Sequence, residues 1–248
     1  MSQVMFYSRP EPLNKEKHLS LKLNTSQANL TFATRTNSVL LAGAEFQHAA
    51  KEYPIVFLQG GNGELLAAAL LGVRNDENLF VDATGRWSAN YIPAFVRRYP
   101  FILAESEATP GQLTVCLDAD YPGFNNEEGE PLFEPNGEPS TLMNNAIRFL
   151  KDCQEGYQRT ALFIEHLKEL DLFVTLSARL ETPQGQKFAI QGIMTVDEKK
   201  LHALEESQVM ALFRSGELAW IHAHLISLSN ISRLANLLSA RDQAAAQG

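Results

Sequence analysis

Cysteine is scarce in this sequence: Cys116 and Cys153 are the only two, too few for a disulfide-stapled framework or a cysteine-based zinc site. Cys116 sits in an apolar strand-like run and Cys153 at an inward-facing helical position. Each reads as a small buried hydrophobe, with a disulfide between them left open. Long apolar runs are missing as well. The longest aliphatic stretch, Leu65 to Val73, is interrupted by Gly72 and closed by Arg74, less than half of the roughly 20 residues a membrane-spanning helix needs. Residues Ser2 to Lys22 are polar, contain Pro10 and Pro12 and lack an apolar central segment. No secretory signal is therefore expected, and a cytoplasmic address is. Base is in deficit: 21 Lys and Arg against 29 Asp and Glu leave a net charge of −8, which repels phosphodiester backbones and excludes nucleic acid as the expected partner.

Familiar catalytic anchors are absent too. No Gly-x-Ser-x-Gly, no His-Glu-x-x-His and no Gly-x-Gly-x-x-Gly between a strand and a helix occurs, so the usual hydrolase, metalloprotease and dinucleotide readings have nothing to rest on. Gly60-Gly61-Asn62-Gly63 lacks the lysine of a phosphate loop and reads as a turn between strands. His222 and His224 stand two apart in a helical pattern, where side chains diverge by about 200° and at most one faces a site. His18, His48, His166 and His202 show no chelating spacing. No metal and no cofactor is expected.

What remains is the profile of a globular chain, 45% hydrophobic and 20% charged, and an α+β organisation. The N-terminal half predicts an antiparallel β-meander, with strands at Leu30 to Ala33, Val39 to Leu41, Ile55 to Leu58, Leu65 to Val73, Leu79 to Val81, Phe101 to Leu103 and Leu113 to Leu117. A short helix is expected around Ala44 to Ala50, and another over Trp87 to Arg98 with Pro93 in its first turn. Apolar residues from Leu142 through Ala146, Phe149, Cys153, Tyr157, Ala161, Ile164 and Leu167 recur in steps of three and four. That spacing predicts a long amphipathic helix, which Gly156 weakens. A β-hairpin over Leu172 to Leu180 and Lys187 to Val196 follows, then a helix opened by Asp197, a helical turn or two from Ser207 to Gly216, and a last helical element from Leu218. The chain reads as a single domain over 1–248 with its core at about 7–238, an acidic loop or lid at 118–140 and a flexible tail at 239–248. Glu127, Glu128, Glu130, Glu134 and Glu138 make that loop a solvated acidic segment.

Two groups of residues could carry chemistry. Asp118 and Asp120, two apart at a strand end, could share one face as a hard-metal site or as an acid/base pair, though Asp-Ala-Asp-Tyr-Pro-Gly is also the composition of a turn, the favoured reading. Trp87, Tyr91, Arg97, Arg98, Tyr99 and Phe101 set guanidinium forks beside aromatic faces, a combination suited to a carboxylate or planar ligand. The alternative is that both arginines pair with internal carboxylates.

These stretches resemble the bacterial SapC family. The likeness is carried by Pro12-Leu13-Asn14, Ala44-Glu45-Phe46 through Glu52-Tyr53-Pro54-Ile55-Val56-Phe57, Leu79-Phe80-Val81-Asp82 with Gly85-Arg86-Trp87, and Tyr91-Ile92-Pro93-Ala94 continuing to Arg97-Arg98-Tyr99-Pro100-Phe101. Val196-Asp197-Glu198, Ser215-Gly216 and Ala223-His224-Leu225 extend it toward the C-terminus. The resemblance implies a surface-layer (S-layer) context, distinct from the peptide-transport permease of the same label, reached only through another export route. It also implies neighbours of the flavin-dependent halogenase-like, cupin-type and TonB-dependent receptor kinds, and it carries over no catalytic residue. The expected function is a non-catalytic binding or assembly protein of a surface-layer or nutrient-uptake system, with a protein or peptide partner. Its expected ligand residues are Arg97, Arg98, Trp87, Tyr91, Tyr99 and His224. The alternative is an accessory subunit or enzyme acting with such an oxidative partner, with Asp118, Asp120 or His224 as acid/base groups.

Overall fold

Fully apolar strands mark the centre of the molecule. Ile55, Val56 and Phe57 of strand β4 (Ile55–Gln59) are all at 0% exposure, so both faces of this strand are covered, as continuous apolar runs require. β4 pairs antiparallel with β5 (Leu65–Leu70) across the Gly60–Gly63 turn, where Gly60 N–H bonds Glu64 O at 2.7 Å and Gly63 takes a left-handed φ of +84°. β3 (Ser38–Leu40) lies on the far side of β5, while β11 (Lys187–Val196) joins β4 through Ile193 and Met194 and carries β10 (Phe173–Glu181) on its outer edge. The five-stranded order is therefore β10-β11-β4-β5-β3, all antiparallel.

A computed structural model describes residues 5–25, 29–105, 113–181, 185 and 187–247. The expected turn at Pro110-Gly111 and most of the hairpin tip at 182–186 lie outside them. Two smaller sheets complete the strands. β1 (Pro10–Pro12), β7 (Leu113–Asp118) and β6 (Phe101–Glu105) form one; β8 (Phe124–Asn125), β2 (Lys22–Leu23) and β9 (Glu130–Pro131) form the other.

The helices are α1 (Phe46–Ala49), α2 (Ala94–Arg97), α3 (Thr141–Glu169), α4 (Glu198–His202), α5 (Glu206–Ser215), α6 (Glu217–Ser227) and α7 (Ile231–Gln247). α3 is capped by Ser140, whose hydroxyl accepts from Met143 N–H, and its 29 residues span roughly 43 Å at 1.5 Å per residue. That length lets one helix serve two cores. Met143 and Leu150 pack with Leu23, Phe101, Leu117, Tyr121, Leu132 and Phe133, whereas Phe163, Ile164 and Leu167 join the main core under the five-stranded sheet. Helices and antiparallel sheets thus form one α+β domain.

Several local expectations change. Leu30 to Ala33 holds a 3-10 turn rather than a strand, and Leu79 to Val81 contributes only a single bridge, Val81 to Trp87. Helix α2 is one turn, because Ser88 and Asn90 are drawn into loop hydrogen bonds with Phe80 O and Glu52, leaving Pro93 as the capping residue. The final helical element is two helices separated by a 3-10 turn at Leu228–Asn230. Ser227 and Ser229 there bond the carbonyls of His224 and Ile226, local bonds that compete with the helix. The acidic segment is no free flap: Tyr121, Leu132 and Phe133 are buried while its glutamates face solvent. The tail stays helical to Gln247, tied down by Arg241, which donates to Asn78 O and Val81 O, and by the Arg74–Asp242 pair. No helix among the described residues is long and apolar enough to cross a membrane.

Candidate functional site

The loop entering α2 is held from behind by carboxylates. Glu45 closes the 3-10 turn Gly43–Glu45 and is 7% exposed. Its Oε2 accepts from Ala42 N–H at 2.9 Å, and its Oε1 accepts from Tyr91 Oη and from Ala94 N–H, each at 2.7 Å. Glu52, in the turn that follows α1, accepts from Asn90 N–H and Nδ2 and from Arg233 Nη1. Both oxygens of each of these two carboxylates are met by donors, as their burial demands. Tyr53 Oη adds a further tie: it donates to Tyr91 O and accepts from Trp87 Nε1 at 2.8 Å. Burial, then the Glu45 charge, pushes the Tyr91 phenol far above its ordinary pKa, so it remains a donor.

On this rigid support Arg97 and Arg98 part company, because successive helical residues point about 100° apart. Arg97 is exposed. Its Nε donates to Ile92 O at 2.9 Å, and its guanidinium lies over the rings of Tyr91 (5.7 Å) and Phe149 of α3 (5.0 Å). On Tyr91 the exposed His48 ring is also stacked, at 5.5 Å. Arg98 turns inward over Phe95, 4.0 Å from the ring centroid. Its Nε is buried with no hydrogen-bond partner among the described residues, as is Tyr157 Oη. Neither arginine forms an ion pair among the described residues. Burial pushes the Cys153 thiol up to about 11, with the Glu45 charge adding to the rise and Arg98 and Arg97 opposing it. A thiol so protonated is a poor nucleophile. Cys116 and Cys153 are both free.

The other candidates are placed elsewhere. Trp87, 9% exposed, packs against Phe80 and Tyr53 in the main core. Tyr99 stacks on Phe32 and donates to Asp118 Oδ2 at 3.0 Å, in the aromatic seam between the two cores. Phe101 belongs to the small core. Asp118 is 1% exposed and accepts from Ser8 N–H and Arg9 N–H at 2.9 Å as well as from Tyr99, so it anchors the N-terminal segment. Asp120 is exposed and paired with Arg9, hence no shared acid/base face exists. His224 is sealed at 0% exposure: its Nδ1 faces Ile55 O at 2.8 Å and its Nε2 accepts from Val196 N–H at 3.0 Å. Those partners fix a neutral ring protonated on Nδ1, and burial lowers its pKa to about 4.

Of the expected ligand residues the structure therefore brings Arg97 and Tyr91 together on the surface, places Arg98 behind them and sets Trp87, Tyr99 and His224 apart. It adds Phe149 and His48 in front and Glu45 behind. Phe149 was visible only as one apolar position in the α3 stripe, and no local signal distinguishes it from core. Open cavities lie outside this cluster, among them one of about 350 Å³ lined by Gln59, Leu65, Thr175 and Met194. A second, of about 300 Å³, is lined by Arg9 and Lys17, already paired with Asp120 and Glu11, and by His18, whose Nε2 lies 3.1 Å from Glu11 Oε1; a third, also about 300 Å³ and apolar, lies among Leu40, Leu58, Leu66 and Phe95.

The family model for SapC matches residues 13–234, nearly the whole chain. No curated protein and no solved structure matches it. The matched span includes the carboxylates that support the α2 loop, both arginines and the α3 stripe, and the chain belongs to the SapC family.

Proposed function

We propose that this chain is a non-catalytic binding or assembly protein that captures an acidic group of a peptide or protein partner at Arg97. One observation carries the reading: an exposed guanidinium is fixed in place by Ile92 O and two aromatic rings, while no carboxylate among the described residues neutralises it. A charge pre-positioned in this way binds an incoming anion with little ordering cost. In a protein of net charge −8, it also offers a local attraction that the remaining surface opposes. The surface-layer or nutrient-uptake setting rests on the SapC resemblance alone. A catalytic reading through Asp118, Asp120 and His224 gains no support, since Asp118 and His224 are saturated by structural hydrogen bonds and Asp120 is paired with Arg9.

The test is affinity capture from cells of the source organism with wild-type and Arg97→Glu bait of equal thermal stability. A partner retained by the wild type and lost by the variant supports the role. Identical capture by both refutes it.

A further inference from the structure

The geometry around Arg97 also restricts what the captured group is, an inference that rests on the reading above. Because Nε is occupied by Ile92 O at 2.9 Å, the guanidinium offers its outer edge, the paired Nη1 and Nη2 N–H groups. That edge matches two oxygens lying in its own plane, as in a carboxylate. A tetrahedral phosphate can meet the same edge with two of its oxygens, so the fork alone does not separate the two anions, but the rings of Tyr91 and Phe149, 5.7 Å and 5.0 Å from the guanidinium carbon, leave little polar surface beside it for the remaining phosphate oxygens. A dianion is further disfavoured by the net charge of −8. The half-buried rings of Phe149 and Tyr91, with His48 stacked on the latter, form an apolar margin beside the charged edge. Whatever group carries the carboxylate comes to rest against that margin. We infer that the Arg97 platform recognises a carboxylate presented beside an aromatic side chain, with His48 and Phe149 as ligand-contacting residues.

Such a carboxylate comes either from the C-terminus of a peptide ending in an aromatic residue or from an Asp or Glu next to one. Two probes separate these sources: N-acetyl-phenylalanine for the first and N-acetyl-glutamyl-phenylalanine amide for the second. The controls are N-acetyl-phenylalanine amide, N-acetyl-alanine and phenyl phosphate. The measurement is an aromatic-region NMR titration of the full chain that follows the rings of His48, Tyr91 and Phe149. At least one carboxylate-plus-ring probe is expected to saturate these shifts, and the tighter of the two identifies the source. The amide is expected to bind at least about 10-fold more weakly, the loss of one two-toothed charged contact, and phenyl phosphate more weakly than the better carboxylate probe because the net negative charge opposes a dianion. Arg97→Lys keeps the charge but not the fork and is expected to weaken the better probe by about 10-fold. Phe149→Leu keeps the packing but not the ring and should remove the advantage of phenylalanine over alanine.

Equal binding of the amide or of phenyl phosphate overturns the inference, as does undiminished binding by Arg97→Lys or no saturable shift with either carboxylate probe. If Arg97→Glu still loses partner capture in that event, the ligand class fails and the capture role stands.

Discussion

Tyr91 Oη donates to the buried Glu45 carboxylate at 2.7 Å while the Tyr91 ring carries the exposed Arg97 guanidinium 5.7 Å from its centroid. A carboxylate that the surface never sees thus determines where a surface cation sits. Glu45 is a positioning residue, since it acts on Arg97 through Tyr91 and through the first turn of α2.

Glu45→Ala tests that relationship. It strands Ala42 N–H, Ala94 N–H and Tyr91 Oη, and unpaired buried donors cost about 1–3 kcal/mol each, less where water enters. The expected loss in urea unfolding is at least about 2 kcal/mol. Glu45→Gln keeps an acceptor and should recover part of it. If Glu45→Ala unfolds at the wild-type midpoint, the carboxylate does not hold the loop.

Stability should fall in mild acid because of His224. Burial holds its pKa at about 4 in the folded chain, against about 6.5 when unfolded. The unfolded state therefore binds the extra proton between those values, so the contribution is complete above about pH 6.5 and is lost as pH falls toward 4. The full difference is on the order of 3 kcal/mol. His224→Gln should flatten this part of the pH profile. A histidine-dependent loss that begins only below pH 4 would contradict the sealed, neutral ring.

Gly156 looks replaceable on helix propensity alone, where alanine gains about 1 kcal/mol. A Cβ there, however, comes within 3.1 Å of Ala42 Cβ. The facing loop cannot yield easily, because Gly43 N–H bonds Thr160 Oγ1 at 2.8 Å and Ala42 N–H bonds Glu45. Overpacking costs about 1–3 kcal/mol, so Gly156→Ala should be net destabilising by about 1 kcal/mol and Gly156→Val by more. A more stable Gly156→Ala protein would show that the loop gives way.

Removing residues 241–248 should lower the melting temperature by several degrees. Arg241 satisfies Asn78 O at 2.7 Å and Val81 O at 2.9 Å, and Asp242 meets both Nη groups of Arg74. In a chain of this size about 1 kcal/mol corresponds to roughly 2–4 °C. An unchanged melting curve would mean that these bonds contribute nothing net.

Where structure follows local pattern, it was legible in the sequence. The three-and-four spacing of α3, the glycine turn between β4 and β5, the hairpin of β10 and β11, and the Asp197 cap, which accepts from Lys199 and Lys200 N–H, all appear as expected. The pairing of β11 with β4 and of β1 with β7 joins residues more than 100 positions apart, and no local signal announces it. The site divides the same way. Arg97 beside Tyr91 was readable from their proximity in the chain, but the inward turn of Arg98, the docking of Phe149 from α3 and the Glu45 anchor depend on tertiary contacts.

Capture at Arg97 is decided by comparing two charge reversals of equal size on the captured partner's dissociation constant. Arg97→Glu removes the platform cation, whereas Arg9→Glu removes an exposed arginine already paired with Asp120. Capture at Arg97 predicts about a 100-fold loss for Arg97→Glu, the scale of breaking a charge pair at an interface, with Arg9→Glu within about twofold of wild type. Equal losses, or no loss at Arg97, would contradict it.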